Sequence, residues 1–176
     1  MLQYRDKTGD AARRLREASA LKAICREFDA PLIINDDIEL ARASGAAGVH
    51  LGEGDSGVAA ARTALGAGAI IGVSCYDSLQ RARDAAAAGA DYLAFGAFFP
   101  SATKPGARHA KPDLLRDARK LGLPLVAIGG ITAENGGPLI AAGADCLAAI
   151  SALFGARDVR AAARQFAALF ASRDGA

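Results

Sequence analysis

Several polar residues stand directly after short apolar runs, where their side chains could bind a metal ion. Asn35-Asp36-Asp37 follows Leu32-Ile33-Ile34, and Asp55 lies in the loop after the next apolar run, Gly48-Val49-His50-Leu51. At the ends of two adjacent strands, Asp36 and Asp55 could hold Mg²⁺, which takes one or two carboxylates together with water and substrate phosphate. Capping of the following helices explains both aspartates equally well, and we interpret Asp37 as a helix cap.

Three polar side chains near the N-terminus alternate with a period of two. Gln3, Arg5 and Lys7 therefore lie on one face of a short strand, and two of them are cationic. Guanidinium and ammonium groups form charge-assisted hydrogen bonds with phosphate oxygens, so the spacing suits an anion clamp. A frayed, solvated N-terminus would show the same spacing.

Further candidates for phosphate binding lie in three later segments. The loop Pro100–Gly106 follows a very apolar run and carries two hydroxyls and a lysine, although an ordinary turn is as good an explanation. Gly129-Gly130 and Ile150-Ser151 end the last two apolar runs. In barrels, the loops after the last two strands often bind phosphate through backbone N–H groups and a helix N-terminus.

The positions of the histidine and cysteine residues argue against nucleophilic catalysis and against a zinc site. His50 lies inside a predicted strand, so a packed and hydrogen-bonded histidine is favoured over a catalytic one. Cys25, Cys75 and Cys146 are odd in number and widely separated, which suits neither a disulfide framework nor a zinc site. We expect three small buried side chains in a reducing cytoplasm.

Short apolar runs alternate with alanine-rich helical stretches along the whole chain. The apolar runs are 31–35, 48–51, 70–74, 91–96, 125–130 and 146–151. The clearest helical stretches are 11–28, 77–88, 111–121 and 157–172, and Gly45, Gly89, Gly122 and Gly143 stand where helices should stop. Continuous apolarity over strand length indicates burial on both faces, as in a parallel sheet.

Strands that alternate with helices predict right-handed crossovers and a parallel sheet. A doubly wound sheet and a (β/α)8 TIM barrel both fit this pattern, but polar or glycine residues at most strand ends favour the barrel. A barrel needs eight strands, whereas the chain offers six runs and a fragment at Leu2–Arg5. We therefore predict an α/β chain whose residues 1–176 form a single, N-terminally truncated TIM-barrel domain, apparently lacking the first βα unit.

Composition narrows the possible partners. The 176 residues are 52% hydrophobic and carry 21 basic and 19 acidic side chains, a net charge of +2, which argues against a dedicated nucleic-acid binder. The sequence has no apolar run of transmembrane length and no apolar signal-peptide core at its start. We expect a cytoplasmic protein that binds neither nucleic acid nor membrane, and the oligomeric state stays open.

The ordered set of motifs resembles the thiamine-phosphate synthase family. Gln3-Tyr4-Arg5-Asp6-Lys7 is similar to the family's Q-x-R-x-K segment, and Ile34-Asn35-Asp36 with Gly48 to Asp55 is similar to its I-N-D and G-V-H-L-G-x-x-D blocks. Three further blocks are matched by 71–74, by Thr103-Lys104 and by 128–131. Each block is weak alone, but together they span essentially the whole chain.

This resemblance implies a Mg²⁺-dependent transferase of thiamine biosynthesis on a TIM barrel. It would couple hydroxymethylpyrimidine diphosphate with hydroxyethylthiazole phosphate, giving thiamine phosphate and diphosphate. Asp36 and Asp55 would bind Mg²⁺, and Arg5, Lys7 and Lys104 would act in catalysis. The substrate-binding positions that the resemblance implies are Gln3, Tyr4, Arg5, Asp6, Lys7, Asn35, Ser74, Ser101, Ala102, Thr103, Lys104, Gly130, Ile150 and Ser151.

Four positions depart from the family pattern, and one of them is Asp37, which stands where a basic residue is more usual. Glu53 replaces the usual glutamine and would put a third carboxylate near the metal, and Ser101 replaces a threonine. Tyr76 stands where the family often has histidine. Since tyrosine is a poor proton shuttle near neutral pH, the thiazole tautomerases, a sister family that uses this histidine, are a less good match. A tautomerase-like enzyme and a non-catalytic remnant that binds thiazole phosphate remain the alternatives.

Overall fold

The structure is a computed structural model that describes residues 1–100 and 108–171. Within these residues, seven strands alternate with helices. The strands are β1 (Leu2–Tyr4), β2 (Leu32–Asn35), β3 (Gly48–Leu51), β4 (Ile70–Tyr76), β5 (Tyr92–Phe95), β6 (Leu125–Ile128) and β7 (Cys146–Ala148). The helices are α1 (Ala11–Glu27), α2 (Ile38–Ser44), α3 (Val58–Leu65), α4 (Leu79–Ala87), α5 (Asp113–Ala118), α6 (Gly137–Ala141), α7 (Ser151–Phe154) and α8 (Val159–Ala171), and a 3-10 turn, Arg119–Leu121, follows α5.

The strand order separates the two predicted architectures. The seven strands form one sheet whose order follows the chain, and the pairings from β1 to β4 and from β5 to β7 are parallel. In a doubly wound sheet the order reverses at a switch point, whereas in a (β/α)8 barrel each strand pairs with the next. The observed order is that of the barrel.

The contacts divide the chain into two compact units. The first comprises Met1–Ser74 with Ala87–Asp91, and the second comprises Cys75–Ala86 with Tyr92–Ala176. Each has its own apolar core: Leu32, Ile33, Ile34, Val49 and Ile71 are fully buried in the first unit, and Leu93, Phe95, Leu115, Leu125 and Leu139 in the second. That residues 1–176 act as a single domain stays a prediction.

The ends of the helices follow the expected signals. Asp37 caps α2, since its carboxylate accepts a hydrogen bond from the Leu40 amide at 2.9 Å, which confirms the prediction for this residue. The helix ends at Gly45 with φ +67°, a left-handed conformation that glycine adopts without strain. The three other glycines predicted to stop helices also have positive φ values. No helix among the described residues is long and apolar enough to cross a membrane.

The last strand differs from the prediction. β7 is only three residues long, and Ser151, expected at its end, begins α7 because the chain turns to helical dihedral angles at Ile150. The residues of β7 are exposed or half-buried. Cys25 and Cys75 are buried as predicted, but the prediction of a buried Cys146 is wrong, because this cysteine lies at the exposed start of β7.

Candidate active site

Two carboxyl groups meet at the C-terminal ends of β2 and β3. Asp36 follows β2 in a left-handed conformation with φ +64°, and its amide donates a hydrogen bond to the His50 carbonyl oxygen at 2.8 Å. Asp55 folds back over the loop after β3, where its carboxylate accepts a hydrogen bond from the Gly52 amide at 2.5 Å. The side chains of Asp36 and Asp55 share a hydrogen bond. Neither carboxylate caps α2 or α3, so helix capping does not explain these two residues.

The pKa values of the two carboxyl groups move in opposite directions. Burial alone would raise the pKa of Asp36, but hydrogen bonds with Lys7 and Asp55 and the charges of Lys7 and Arg5 lower it overall. Burial and the hydrogen bond with Asp36 raise the pKa of Asp55 above its ordinary value. The surroundings therefore favour the charged form of Asp36 more strongly than that of Asp55.

A hard divalent cation fits this pair of oxygen donors. Asp36 and Asp55 are half-buried, and a bound metal ion would favour the charged form of both carboxyl groups. Among the described residues, no group of three or more acidic, histidine or cysteine side chains is placed to hold a metal, so Glu53 does not add the expected third carboxylate. A protein contribution of two carboxylates, with the remaining ligands from water and phosphate, is typical of Mg²⁺.

Cationic side chains accompany the carboxylate pair. The Lys7 ammonium forms an ion pair with Asp36, and its side chain is 56% exposed, so it can also reach a ligand. Gln3, Arg5 and Lys7 are all exposed, as their alternation predicts. A cleft of about 230 Å³ lies at this place and is lined by Asp6, Lys7, Thr8, Arg14, Asn35, Asp36 and Asp37.

The alternate residues of the same segment fasten it to α1. The Tyr4 hydroxyl donates a hydrogen bond to the Glu17 carboxylate at 2.7 Å, and burial together with this bond raises the pKa of Tyr4 to about 12. Asp6 accepts hydrogen bonds from the Arg13 guanidinium at 2.5 Å and from the Thr8 amide at 2.8 Å. The side chains of Tyr4 and Asp6 therefore hold the segment so that Lys7 reaches Asp36, and their contact with substrate stays a prediction.

His50 and Ser74 form a second polar pair near the same strand ends. His50 lies on β3 and is 7% exposed, and its Nε2 atom is 2.8 Å from the Ser74 hydroxyl oxygen on β4. This confirms the prediction of a packed, hydrogen-bonded histidine. The register pairs His50 with Asn35 on β2, so the amide of Asn35 stands beside this pair and next to Asp36.

The Gly129-Gly130 pair allows two loops of the second unit to approach closely. A Cβ atom on Gly129 would stand 2.3 Å from that of Ala97, and one on Gly130 would stand 2.4 Å from the Pro100 carbonyl oxygen. The amide of Phe99 donates a hydrogen bond to the Gly129 carbonyl oxygen at 3.1 Å. This packing explains the glycines without a ligand, and phosphate binding by Gly130 stays a prediction.

The structure gives less information about the other residues of the second unit that are predicted to bind substrate. Ile150 and Ser151 are exposed at the start of α7. Ser101, Ala102, Thr103 and Lys104 lie outside the described residues. Their predicted contacts with substrate stay predictions.

Two aspartates with structural roles were not singled out from the sequence. The Asp91 carboxylate accepts hydrogen bonds from the Ile71 amide and from Arg62, both at 2.7 Å. Asp145 makes the same pair of contacts with the Leu125 amide and with Arg119. Both stand in the repeated Ala-Ala-Gly-Ala-Asp pattern at 87–91 and 141–145, and that repeat was the signal that could have found them.

The comparisons with known proteins identify the family of this chain. Residues 1–153 match the family model described as thiamine monophosphate synthase. The thiamine-phosphate synthase of Xanthomonas campestris pv. campestris (strain 8004) is 59% identical over 169 residues, covering 96% of this chain and 82% of the relative. That of Thiobacillus denitrificans is 57% identical over 172 residues, covering 97% and 82%.

The solved structures support the same assignment. The structure of thiamine phosphate pyrophosphorylase from Pyrococcus furiosus matches with a TM-score of 0.88 at 34% identity, covering 97% of this chain and 82% of that one. A 3-hexulose-6-phosphate synthase matches with a TM-score of 0.65 at 23% identity and shows the fold alone. Together with the strand order, these matches confirm the TIM-barrel class. The chain belongs to the thiamine monophosphate synthase family.

Proposed function

We propose that this chain joins hydroxymethylpyrimidine diphosphate to hydroxyethylthiazole phosphate, with release of diphosphate and formation of thiamine phosphate. The relatives' names support a transferase of this type. The single structural observation that carries the proposal is the Asp36–Asp55 pair beside Lys7, at the strand ends of the first unit. A carboxylate pair next to cationic groups suits a metal-bound diphosphate better than a neutral ligand.

The proposed diphosphate half of the site comprises residues that lie on or after β1, β2, β3 and β4. Arg5 and Lys7 would neutralise and hydrogen-bond the diphosphate, Gln3 and Asn35 would orient the pyrimidine diphosphate, and Ser74 would donate to a diphosphate oxygen. Asp36 and Asp55 would hold Mg²⁺. The ion, when bound, supplies positive charge to the departing diphosphate.

The proposed reaction needs no nucleophilic side chain. The bond between the pyrimidine methylene carbon and the diphosphate oxygen breaks, and its electron pair leaves with the diphosphate. The aminopyrimidine stabilises the resulting cation, and the thiazole nitrogen then forms the new carbon–nitrogen bond. The chain must stabilise the departing anion and hold the two substrates in line, which Arg5 and Lys7 and, by the family pattern, Lys104 would do.

The thiazole half of the proposed site comes from the second unit. Ser101 and Thr103 would hydrogen-bond the thiazole phosphate, and Gly130, Ile150 and Ser151 would complete its site. The exposure of Ile150 and Ser151 at the start of α7 supports this, because a phosphate could reach both residues. A cytoplasmic location stays a prediction.

A coupled assay tests the proposal directly. Purified protein is incubated with both substrates and Mg²⁺, and thiamine phosphate and diphosphate are quantified, with each substrate omitted in turn. We expect the two products in equal amounts, and only when both substrates and Mg²⁺ are present. Binding of thiazole phosphate without product, or conversion of the thiazole alone, would contradict the proposal in favour of a binding remnant or a tautomerase.

A further inference from the structure

One arginine of the cleft beside Asp36 has no part in the reaction described above. Arg14 stands near the start of α1, and its side chain lines the cleft of about 230 Å³ together with Lys7 and Asp36. The Arg14 side chain is only 18% exposed, whereas that of Lys7 is 56% exposed. Since arginine side chains are rarely withdrawn from water unless they are paired, the partners of this guanidinium indicate its role.

The Arg14 guanidinium uses little of its hydrogen-bonding capacity. Its Nη2 atom donates a hydrogen bond to the Asp37 carboxylate at 2.9 Å, the one hydrogen bond that this side chain makes with the described residues. Its Nε atom is buried and has no hydrogen-bond partner within the same part of the chain. A guanidinium has five N–H donors, so Arg14 has further donors for a ligand in the cleft.

Asp37 holds the guanidinium in place from one side. One carboxylate oxygen of Asp37 accepts the hydrogen bond from the Leu40 amide at the start of α2, and the other accepts the hydrogen bond from Arg14. Because Asp37 is fixed to the helix in this way, the guanidinium is fixed beside the turn that carries Asp36. An arginine that is held by a carboxylate at one nitrogen can still bind phosphate oxygens through its other nitrogens.

The carboxylates on the lining of the cleft leave room for an anion, because each of them has a cationic partner. The ion pairs are Asp6–Arg13, Asp36–Lys7 and Asp37–Arg14. Their negative charges are therefore compensated within the chain, and a divalent cation at the Asp36–Asp55 pair would add positive charge. The cleft thus suits a strongly charged anion that arrives with its metal ion.

We propose that Arg14 is a further substrate-binding residue, whose guanidinium donates hydrogen bonds to oxygen atoms of the diphosphate beside Lys7. This inference rests on the proposed function, in which the diphosphate lies in this cleft with the metal ion that Asp36 and Asp55 hold. Arg14 binds the diphosphate both as part of the pyrimidine substrate and after its release. The guanidinium keeps its proton throughout, so it supplies charge and donors but transfers no proton.

Binding of inorganic diphosphate tests the inference without any catalytic activity. Calorimetry at saturating Mg²⁺ compares the wild type with Arg14→Gln and with the control Arg16→Gln, whose residue is exposed on the same helix. Loss of a hydrogen-bonding cation should weaken diphosphate binding about 10- to 150-fold in Arg14→Gln, whereas Arg16→Gln should bind like the wild type. Equal affinities of Arg14→Gln and Arg16→Gln, both folded by circular dichroism, would overturn the proposal.

A second variant separates binding by Arg14 from a purely structural role. Asp37→Asn keeps an oxygen that can cap α2 but removes the ion pair, so the cation stays in the cleft. If Arg14 binds the diphosphate, Asp37→Asn should lose much less diphosphate affinity than Arg14→Gln, and the Mg²⁺ affinity of Arg14→Gln without diphosphate should not fall. Equal losses in the two variants, or a fall in that Mg²⁺ affinity, would mean that the pair only shapes the turn at Asp36 and would overturn the proposal.

The possible outcomes also distinguish this inference from the proposed function. If the wild type binds diphosphate with Mg²⁺ but forms no thiamine phosphate, the proposed function fails, and the affinities still test Arg14. If the wild type is active and Arg14→Gln keeps the wild-type kcat/KM for the pyrimidine diphosphate, the inference is wrong and the proposed function stands. A wild type that does not bind diphosphate would overturn both.

Discussion

Replacement of Lys7 by glutamine should separate its catalytic contribution from its structural one. The Lys7–Asp36 ion pair has side chains that are 56% and 22% exposed. An ion pair with this much solvent contact is worth about 0–1 kcal/mol, which corresponds to a melting temperature lower by at most ~4 °C in a chain of this size. The stability of Lys7→Gln should therefore be close to that of the wild type.

The expected effect on the reaction is much larger. A hydrogen bond to a charged group contributes about 1.5–3 kcal/mol, so loss of the ammonium group from the departing diphosphate should lower kcat/KM about 10- to 150-fold. The assay is product formation with saturating Mg²⁺ and thiazole phosphate and varied pyrimidine diphosphate. Lys120→Gln, at an exposed position on the 3-10 turn after α5, is the matched control and should retain wild-type activity.

The pH profile adds an independent readout for the same variant. Lys7 is one of the groups that lower the pKa of Asp36 in the folded protein, so its loss should raise that pKa. Since Asp36 must be ionised to bind a cation, the acid limb of the rate profile should move to higher pH in Lys7→Gln. Equal kcat/KM values for Lys7→Gln and Lys120→Gln, with superimposable pH profiles, would show that the Lys7–Asp36 pair has no part in the reaction.

Three further outcomes follow from the structure. Gly130→Ala should lower the melting temperature by several degrees, because the residue has φ +64° and a Cβ atom would meet two main-chain oxygens within 2.7 Å. The control Gly137→Ala should keep the wild-type melting temperature, because the space around its Cβ atom is open. In a urea titration, Asp91→Ala should lower the free energy of unfolding by about 1–3 kcal/mol, because the Ile71 amide loses its acceptor. The control Asp84→Ala, at an exposed helix position, should change the free energy of unfolding by less than about 0.5 kcal/mol. The Mg²⁺ affinity, measured by calorimetry, should begin to fall with decreasing pH above the ordinary titration range of aspartate. The reason is that the pKa of Asp55 is raised, so a proton competes with the metal ion at higher pH than usual. An affinity that stays constant down to pH 4 would contradict this prediction.

Local patterns in the sequence were sufficient to predict most of the framework. The continuous apolar runs at 32–35 and 92–95 are buried on both faces, as expected for parallel strands, and Gly45 ends a helix where the pattern placed it. The run at 146–151 was less reliable, because an apolar stretch does not show where the dihedral angles change from strand to helix at Ile150.

The site was predictable in its residue types but not in its contacts. Carboxylates after two adjacent strands predicted the meeting of Asp36 and Asp55, since the ends of parallel strands lie at one edge. The left-handed backbone at Asp36 and the reach of Tyr4 to Glu17 depend on tertiary packing, which spacing along the chain does not encode. The guanidinium carbon of Arg108 lies 4.5 Å from the centroid of the Tyr76 ring, and this contact between residues 32 positions apart has no local signal in the sequence.

We propose that Asp36 and Asp55 hold the metal ion that supplies positive charge to the departing diphosphate. The most direct measurement is Mg²⁺-dependent thiamine phosphate formation by Asp36→Asn, a variant of nearly the same shape that lacks the negative charge. We expect Asp36→Asn to be folded, by circular dichroism, and to form no product at Mg²⁺ concentrations that saturate the wild type. A wild-type rate with unchanged Mg²⁺ dependence would contradict it.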